Sequence, residues 1–158
     1  MRHLFIEELS KQMAVNDKIF LLTGDLGFNV VEPIKDNFPT RFLNCGASEI
    51  AMLDLAVGLA LSGRIPFVYS ITTFLLYRPF EAIRNYLHYE KIPVKLIGSG
   101  RDKEYGGLGF THWAHDDKVV MALFNNIKSY WPEKQEIKEL VKKAIKDKSP
   151  YYINLSRL

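Results

Sequence analysis

Short apolar runs, each too short for a typical helix, alternate along this chain with longer segments of helical periodicity. The runs lie at residues 19–22, 42–43, 66–71, 94–97 and 151–155. Apolar runs of this length, bounded by turn residues, are typical of strands that are buried on both faces. Strands that alternate with helices form an open, mainly parallel sheet with helices on both sides. The sequence therefore predicts a three-layer α/β/α fold.

Helical periodicity fills most of the stretches between these runs. Apolar residues at positions 4, 5, 9 and 13 predict an amphipathic first helix, and further helices are predicted over 48–61, 79–89, 116–124 and 133–146. The segment 127–130 is predicted to be extended. No repeat or low-complexity linker interrupts the 158 residues, a length that suits one domain with a single core. We therefore predict one domain over 1–158.

Composition argues against several classes of protein. The net charge is only +3, and the lysines concentrated in 134–148 lack the aromatic or motif support of a nucleic-acid site. Cys45 is the only cysteine, so an internal disulfide is impossible. The longest apolar run, 51–61, is too short to cross a bilayer. We predict a soluble, cytoplasmic protein that binds neither nucleic acid nor a membrane.

The familiar signatures of nucleotide and metal sites are also missing from the sequence. There is no G-x-G-x-x-G after a strand and no G-x-x-x-x-G-K-[ST] loop. His112 and His115, followed by Asp116 and Asp117, come closest to a metal cluster, but two histidines without a further ligand set are a weak signal. We predict no metal ligands in this chain.

Ligands of open α/β sheets bind at the carboxyl ends of the strands. In this chain that rule selects four loops, at residues 24–25, 45–49, 72–77 and 98–112, which hold most of its unusual residues. Their sequences resemble the transketolase family in order along almost the whole chain. The matching segments are FLNCGASEIAM (42–52), VGLALSGRIPF (57–67), TFLLY (73–77), RPFEAIR (78–84), GGLGFTH (106–112) and PYYINLSR (150–157).

The resemblance is to the pyrimidine-binding domain of this family, and it implies thiamine diphosphate as cofactor. In the family the cofactor lies between a pyrimidine domain and a diphosphate domain of different chains. The Gly-Asp-Gly…Asn motif that holds Mg²⁺ and the diphosphate does not occur here, and Gly24-Asp25 is followed by Leu26. We therefore expect a split, two-subunit enzyme in which a partner subunit holds the diphosphate and Mg²⁺, with two copies of each chain.

The resemblance makes Glu49 the carboxylate that activates the cofactor. A partly buried carboxyl group that hydrogen-bonds the pyrimidine N1′ favours the imino tautomer, which then removes the proton from thiazolium C2. The alternative, from the local sequence, is a glutamate that caps a helix N-terminus beside Ser48. The resemblance further implies that Phe74 or Tyr77 stacks on the pyrimidine ring, and Asp25 is a further candidate contact with the cofactor. Without the resemblance, both aromatic rings would be interpreted as ordinary core residues.

Substrate contacts also follow from the resemblance. His112 matches a histidine that faces the substrate and can transfer protons, while Arg157 and Arg101 are candidates for a substrate phosphate. Leu108 replaces an aspartate that contacts a donor hydroxyl in the family, and Gly100 stands where many relatives have a phosphate-binding histidine. These departures argue against the ordinary pentose-phosphate sugars and make a modified or nucleotide-linked sugar plausible.

Two functions remain in competition at this point. The first is a catalytic subunit that transfers a two-carbon ketol unit between sugars. The second is a non-catalytic domain that regulates or scaffolds a larger thiamine enzyme, a role that would not need the carboxylate of Glu49. Among enzymes, a decarboxylating synthase or a 2-oxo-acid dehydrogenase component is the alternative, and Thr111-His112 favours transketolase chemistry over the dehydrogenase.

Overall fold

Six parallel strands form the centre of the molecule in a computed structural model that describes residues 1–157. They follow the order β2-β1-β3-β4-β6-β5 across the sheet, and every neighbouring pair is parallel. The strands are β1 (Ile19–Thr23), β2 (Phe42–Asn44), β3 (Ile65–Ile71), β4 (Lys95–Ser99), β5 (Lys128–Tyr130) and β6 (Tyr151–Leu155).

Helices cover both faces of the sheet. They are α1 (Arg2–Val15), α2 (Glu32–Asn37), α3 (Glu49–Leu61), α4 (Thr72–Tyr77), α5 (Phe80–Ala82), α6 (Asp117–Ala122) and α7 (Ile137–Lys146), and a π-helical segment (Ile83–Tyr89) follows α5. Single 3₁₀ turns lie at Pro39–Arg41, Gly106–Leu108 and Lys134–Glu136.

Two apolar cores separate the three layers. Alternate residues of each strand point to opposite faces, so that Phe67 and Tyr69 of β3 pack under α1, α2 and α7, whereas Val68 packs under α3, α4 and α6. Because both faces of the central strands are buried, β1, β3 and β6 are mostly apolar and do not alternate regularly with polar residues. The predicted three-layer α/β/α fold with a parallel sheet is confirmed.

The helix boundaries correct the sequence prediction in three places. The sequence predicts a loop over 72–77, but these residues are helical, because Leu75 and Leu76 gain buried positions against the sheet. The helix expected over 79–89 is a short α-helix that continues as a π-helix. The helix α2 has no counterpart in the prediction, although Pro33 in its first turn is a typical start signal.

Within residues 1–157, no helix combines the length and the apolar character that a membrane-spanning segment needs.

Candidate functional site

The carboxyl ends of the strands lie at one edge of the sheet, and the four loops selected from the sequence meet there. The register aligns Thr23 of β1 with Tyr69 of β3, and Ser99 of β4 with Ile71 and Leu155 of the strands on either side. Side chains from segments far apart in sequence can therefore reach one another across this edge.

Glu49 is the most buried carboxylate at this edge, with 2% of the residue exposed. It is the first residue of α3, and its oxygens accept hydrogen bonds from two side chains: Oε1 from the Ser70 hydroxyl at 3.3 Å and Oε2 from Arg78 Nη1 at 2.7 Å. The carboxylate thus reaches across the sheet edge toward β3 and the end of α4, and the Ser48 side chain makes no capping hydrogen bond.

Gly24 allows this close packing around Glu49. A Cβ atom at position 24 would lie 3.4 Å from Glu49 Oε1 and 3.4 Å from the Gly46 carbonyl oxygen. Contacts of that length leave no further space, so any residue larger than alanine would press on the carboxylate. The absence of a side chain at the end of β1 therefore keeps space next to Glu49.

A row of flat groups extends from Glu49 along the sheet edge. The Arg78 guanidinium carbon lies 3.9 Å from the centroid of the Phe74 ring, and the His112 ring meets Phe74 edge-on at 4.9 Å. The row continues through Tyr105, whose ring centroid is 5.5 Å from that of His112. Arg157 ends it, with its guanidinium carbon 4.2 Å from the Tyr105 centroid.

Four of the predicted site residues belong to this row: Glu49, Phe74, His112 and Arg157. The row also includes Arg78 and Tyr105, for which the sequence predicts no role. Arg78 is part of a matching motif, and this is the only sequence signal that points to it.

Two threonines of α4 hold the glycine-rich loops against this row. The Thr73 hydroxyl donates to the Thr111 carbonyl oxygen at 2.7 Å, and the Thr72 hydroxyl donates to the Gly100 carbonyl oxygen at 2.8 Å. Thr111 Oγ1 in turn lies 2.9 Å from Nδ1 of His112. The position of the His112 ring is therefore fixed both through the backbone before it and through its own Nδ1.

Tyr105 fills the space that Gly100 leaves open. Gly100 has φ +91°, and a Cβ there would lie 2.3 Å from Cε2 of the Tyr105 ring. The Tyr105 hydroxyl is 3.2 Å from Ser99 Oγ. The ring thus lies directly over the position where the family resemblance places a histidine.

Glu104 binds the two ends of this loop region together. Its carboxylate accepts hydrogen bonds from the Ser156 hydroxyl at 2.5 Å and from the backbone N–H groups of Arg101 and Arg157 at 3.0 and 2.8 Å. Partial burial alone would raise the pKa of Glu104, but these hydrogen bonds outweigh it and lower the pKa below its ordinary value. Glu104 thereby fixes the backbone on which Arg157 is mounted.

The other predicted site residues lie outside the row. Tyr77 is 43% exposed, and burial together with the neighbouring Asp116 carboxylate raises the pKa of its phenol. Asp25 is exposed in a left-handed turn (φ 54°), and its carboxylate accepts from the Asn44 amide at 3.2 Å. The Arg101 guanidinium donates to backbone carbonyl oxygens, those of Asn154 and Pro132. Their predicted roles stay predictions.

No group of three or more His, Cys, Asp or Glu side chains within residues 1–157 is arranged to hold a metal ion.

Comparison with known proteins decides the family. The sequence profile described as "Transketolase, pyrimidine binding domain" matches residues 1–158. The chain belongs to this family. The resemblance found in the sequence motifs is thereby confirmed, and the row along the sheet edge lies in a transketolase-type pyrimidine-binding domain.

Two relatives are named as parts of larger enzymes. The chain is 33% identical over 126 residues to one subunit of the apulose-4-phosphate transketolase of Actinobacillus succinogenes, covering 79% of this chain and 40% of that protein. It is 29% identical over 143 residues to a putative transketolase C-terminal section of Methanocaldococcus jannaschii, covering 89% and 45%. This chain thus spans somewhat less than half the length of these relatives.

Solved structures agree with the fold. A split-gene transketolase, described as an inactive β4 tetramer, superposes with a TM-score of 0.85 at 30% identity and covers 99% of this chain and 51% of its own. Transketolase from Leishmania mexicana superposes with a TM-score of 0.88 at 22% identity over 99% of this chain and 25% of its own, a likeness that concerns the fold alone.

Proposed function

We propose that this chain is a single pyrimidine-binding domain over 1–158 of a thiamine-diphosphate-dependent, transketolase-like enzyme. It acts with a partner subunit and transfers a two-carbon ketol unit between sugars. The observation that carries the proposal is the buried Glu49 carboxylate at the carboxyl edge of a parallel sheet, joined through Arg78 to the Phe74 ring, which His112 meets edge-on.

The residues at this edge suit an aminopyrimidine ring. Glu49 offers a buried carboxylate, Phe74 offers a half-buried aromatic face, and Gly24 leaves room beside the carboxylate. When bound, thiamine diphosphate supplies the nucleophilic carbon that takes up and passes on the two-carbon unit.

Glu49 is the residue that holds a proton at the pyrimidine N1′. A carboxyl group shares a proton with a weakly basic ring nitrogen best when water is excluded and its orientation is fixed. The hydrogen bond from Ser70 supplies that orientation, and burial supplies the exclusion of water. A helix-capping residue would need neither.

His112 and Arg157 act on the substrate. Because Nδ1 of His112 is engaged by Thr111, Nε2 is the ring nitrogen available to a substrate hydroxyl or carbonyl group. Arg157 is exposed at the far end of the row, where its guanidinium can bind an anionic group of the sugar. Arg101 is the second candidate for that anion, and Tyr77 and Asp25 are further candidates for cofactor contacts.

The partner is a diphosphate-binding subunit that holds the diphosphate and Mg²⁺, with two copies of each chain in a cytoplasmic assembly. One relative is by name a transketolase subunit and another a C-terminal section, and both names support this division between chains. Two relatives act by name on apulose-4-phosphate and on 6-deoxy-6-sulfo-D-fructose. Together with Leu108, which cannot accept a hydrogen bond from a donor hydroxyl, they support a modified sugar as the substrate of this chain.

The test is reconstitution. The full chain is mixed with a diphosphate-binding subunit that carries Gly-Asp-Gly…Asn, together with thiamine diphosphate, Mg²⁺, a ketose donor and an aldehyde acceptor. We expect ketol transfer only when both subunits are present. Tight, Mg²⁺-dependent cofactor binding by this chain alone in calorimetry would contradict the division of the site between two subunits.

A decarboxylating synthase is the second candidate, because 1-deoxy-D-xylulose-5-phosphate synthase of Corynebacterium glutamicum is 28% identical to this chain over 144 residues. The same reconstituted complex separates the two reactions. Pyruvate as donor would release CO₂ in a synthase, whereas a ketose donor releases none. Ketol transfer without CO₂ supports the transketolase-like reaction, and CO₂ release that depends on Glu49 supports the synthase.

A further inference from the structure

Arg78 lies between the two residues that the proposed function gives to the aminopyrimidine ring. Its Nη1 donates to Glu49 Oε2 at 2.7 Å, while its guanidinium carbon lies 3.9 Å from the centroid of the Phe74 ring. A guanidinium group is flat and delocalised, and it binds carboxylates and aromatic faces alike. One planar group therefore makes both contacts at the same time.

These are the same two contacts that an aminopyrimidine would make, a hydrogen bond to Glu49 and packing against Phe74. Two flat groups cannot share one position. We infer that Arg78 is a gating residue: in the free chain its guanidinium occupies the position of the cofactor's aminopyrimidine ring, and cofactor binding displaces it. The inference rests on the proposed function, because it takes Glu49 and Phe74 as the pyrimidine-binding pair.

The surroundings of Arg78 give the displaced side chain somewhere to go. Its side chain is 44% exposed, whereas that of Glu49 is 1% exposed, so the arginine is the member of the pair that has space to move into solvent. Next to Arg78 lies an open cavity of about 250 Å³ whose walls include the carboxylates of Asp54 and Glu81. The guanidinium can exchange one carboxylate partner for another without losing its solvent contact.

The same contact stabilises the Glu49 carboxylate when no pyrimidine is bound. A buried carboxylate without a partner is strongly unfavourable, and the pair with Arg78 provides that partner before the cofactor arrives. This stabilisation lowers the affinity for the pyrimidine, because only the fraction of molecules whose Arg78 has moved away can bind it. Removal of the guanidinium should therefore tighten pyrimidine binding.

The experiment uses the full chain without a partner and 4-amino-5-hydroxymethyl-2-methylpyrimidine as the probe, because this compound lacks the diphosphate that the partner would hold. Dissociation constants come from NMR titrations of the wild type, Arg78→Gln and Arg84→Gln. Arg84 is the matched control: it is exposed on the following π-helical segment and lies 4.8 Å from the Tyr89 ring, so its cation–π contact involves neither Glu49 nor Phe74.

We expect Arg78→Gln to bind the pyrimidine about tenfold more tightly than the wild type, and Arg84→Gln to bind like the wild type. In the wild type, saturation with the pyrimidine should move the side-chain Nε–Hε signal of Arg78 and leave that of Arg84 in place. This second measurement needs no variant, so it holds even if Arg78→Gln folds poorly.

The inference is overturned if Arg78→Gln binds no more tightly than the wild type, or if the Arg78 signal stays in place at saturation. Absence of pyrimidine binding by every variant overturns it as well. The activity of Glu49→Gln in the reconstituted complex tells the two failures apart. If that activity falls while Arg78→Gln binds no better, only the gating role of Arg78 is wrong; if that activity is unchanged, the proposed function is wrong with it.

Discussion

Replacement of Glu49 by glutamine tests the residue on which the proposed function depends most. Glutamine keeps the size of the side chain and an oxygen that can accept from Ser70 or Arg78, but it cannot exchange a proton with the pyrimidine N1′. If proton sharing at Glu49 activates the cofactor, turnover of the reconstituted complex should fall by about a hundred- to ten-thousand-fold, the usual contribution of general acid–base catalysis.

The effect on stability should be small in comparison. The Glu49–Arg78 pair has one buried and one partly solvated member, so the loss of its charge should lower the free energy of unfolding by about 1 kcal/mol. For a chain of 158 residues this shifts the melting temperature by about 2–4 °C. A purely structural Glu49 would give the opposite pattern, a loss of stability with near-normal turnover.

The assay combines two measurements on the same variant. Hydrogen exchange at C2 of the bound cofactor reports the activation step directly, and thermal unfolding reports the fold. Glu90→Gln, the same change at an exposed position after the π-helical segment, serves as a control for the effect of losing a single charge. If Glu49→Gln exchanges the C2 proton as fast as the parent complex, Glu49 is not the activating carboxylate, and the reasoning from its burial and position is refuted.

Three further predictions concern residues away from Glu49. Gly100→Ala should lower the melting temperature and weaken substrate binding, because its Cβ would collide with Tyr105 and its φ of +91° suits only glycine. Asp117→Ala should lower the free energy of unfolding by about 2–4 kcal/mol in denaturant titrations, because the donors of Trp131, Tyr152 and Asn154 would lose the buried carboxylate oxygen that accepts from all three. Burial lowers the pKa of Lys95 to about 8, so the unfolded chain binds more protons than the folded one between pH 8 and 10.5. The free energy of unfolding of the wild type should therefore rise by about 2–3 kcal/mol relative to that of Lys95→Met as the pH rises through that window. Denaturant titrations that give both proteins the same pH dependence would contradict this prediction.

The fold could be predicted largely from the sequence, because a strand that is buried on both faces must be a short run of apolar residues, and such a run is visible in the local sequence. The runs 66–71 and 151–155 are apolar almost throughout, as central strands must be, and each predicted run corresponds to a strand of the parallel sheet. The helix over 72–77 leaves no comparable signal, because its six residues make fewer than two turns, which is too short for helical periodicity to distinguish it from a loop.

Glu49, Phe74, His112 and Arg157 could be named from motifs, but their arrangement in one row could not. The ion pair between Glu49 and Arg78 joins residues 29 positions apart, and it exists only because β3 lies between β1 and β4 in the sheet. Tyr105 belongs to the row because Gly100, which has no side chain, leaves space for the Tyr105 ring. Hydrophobic periodicity and composition indicate which residues are buried. The identity of a residue's neighbour across the sheet edge depends instead on strand order and loop packing, which cannot be predicted from the local sequence.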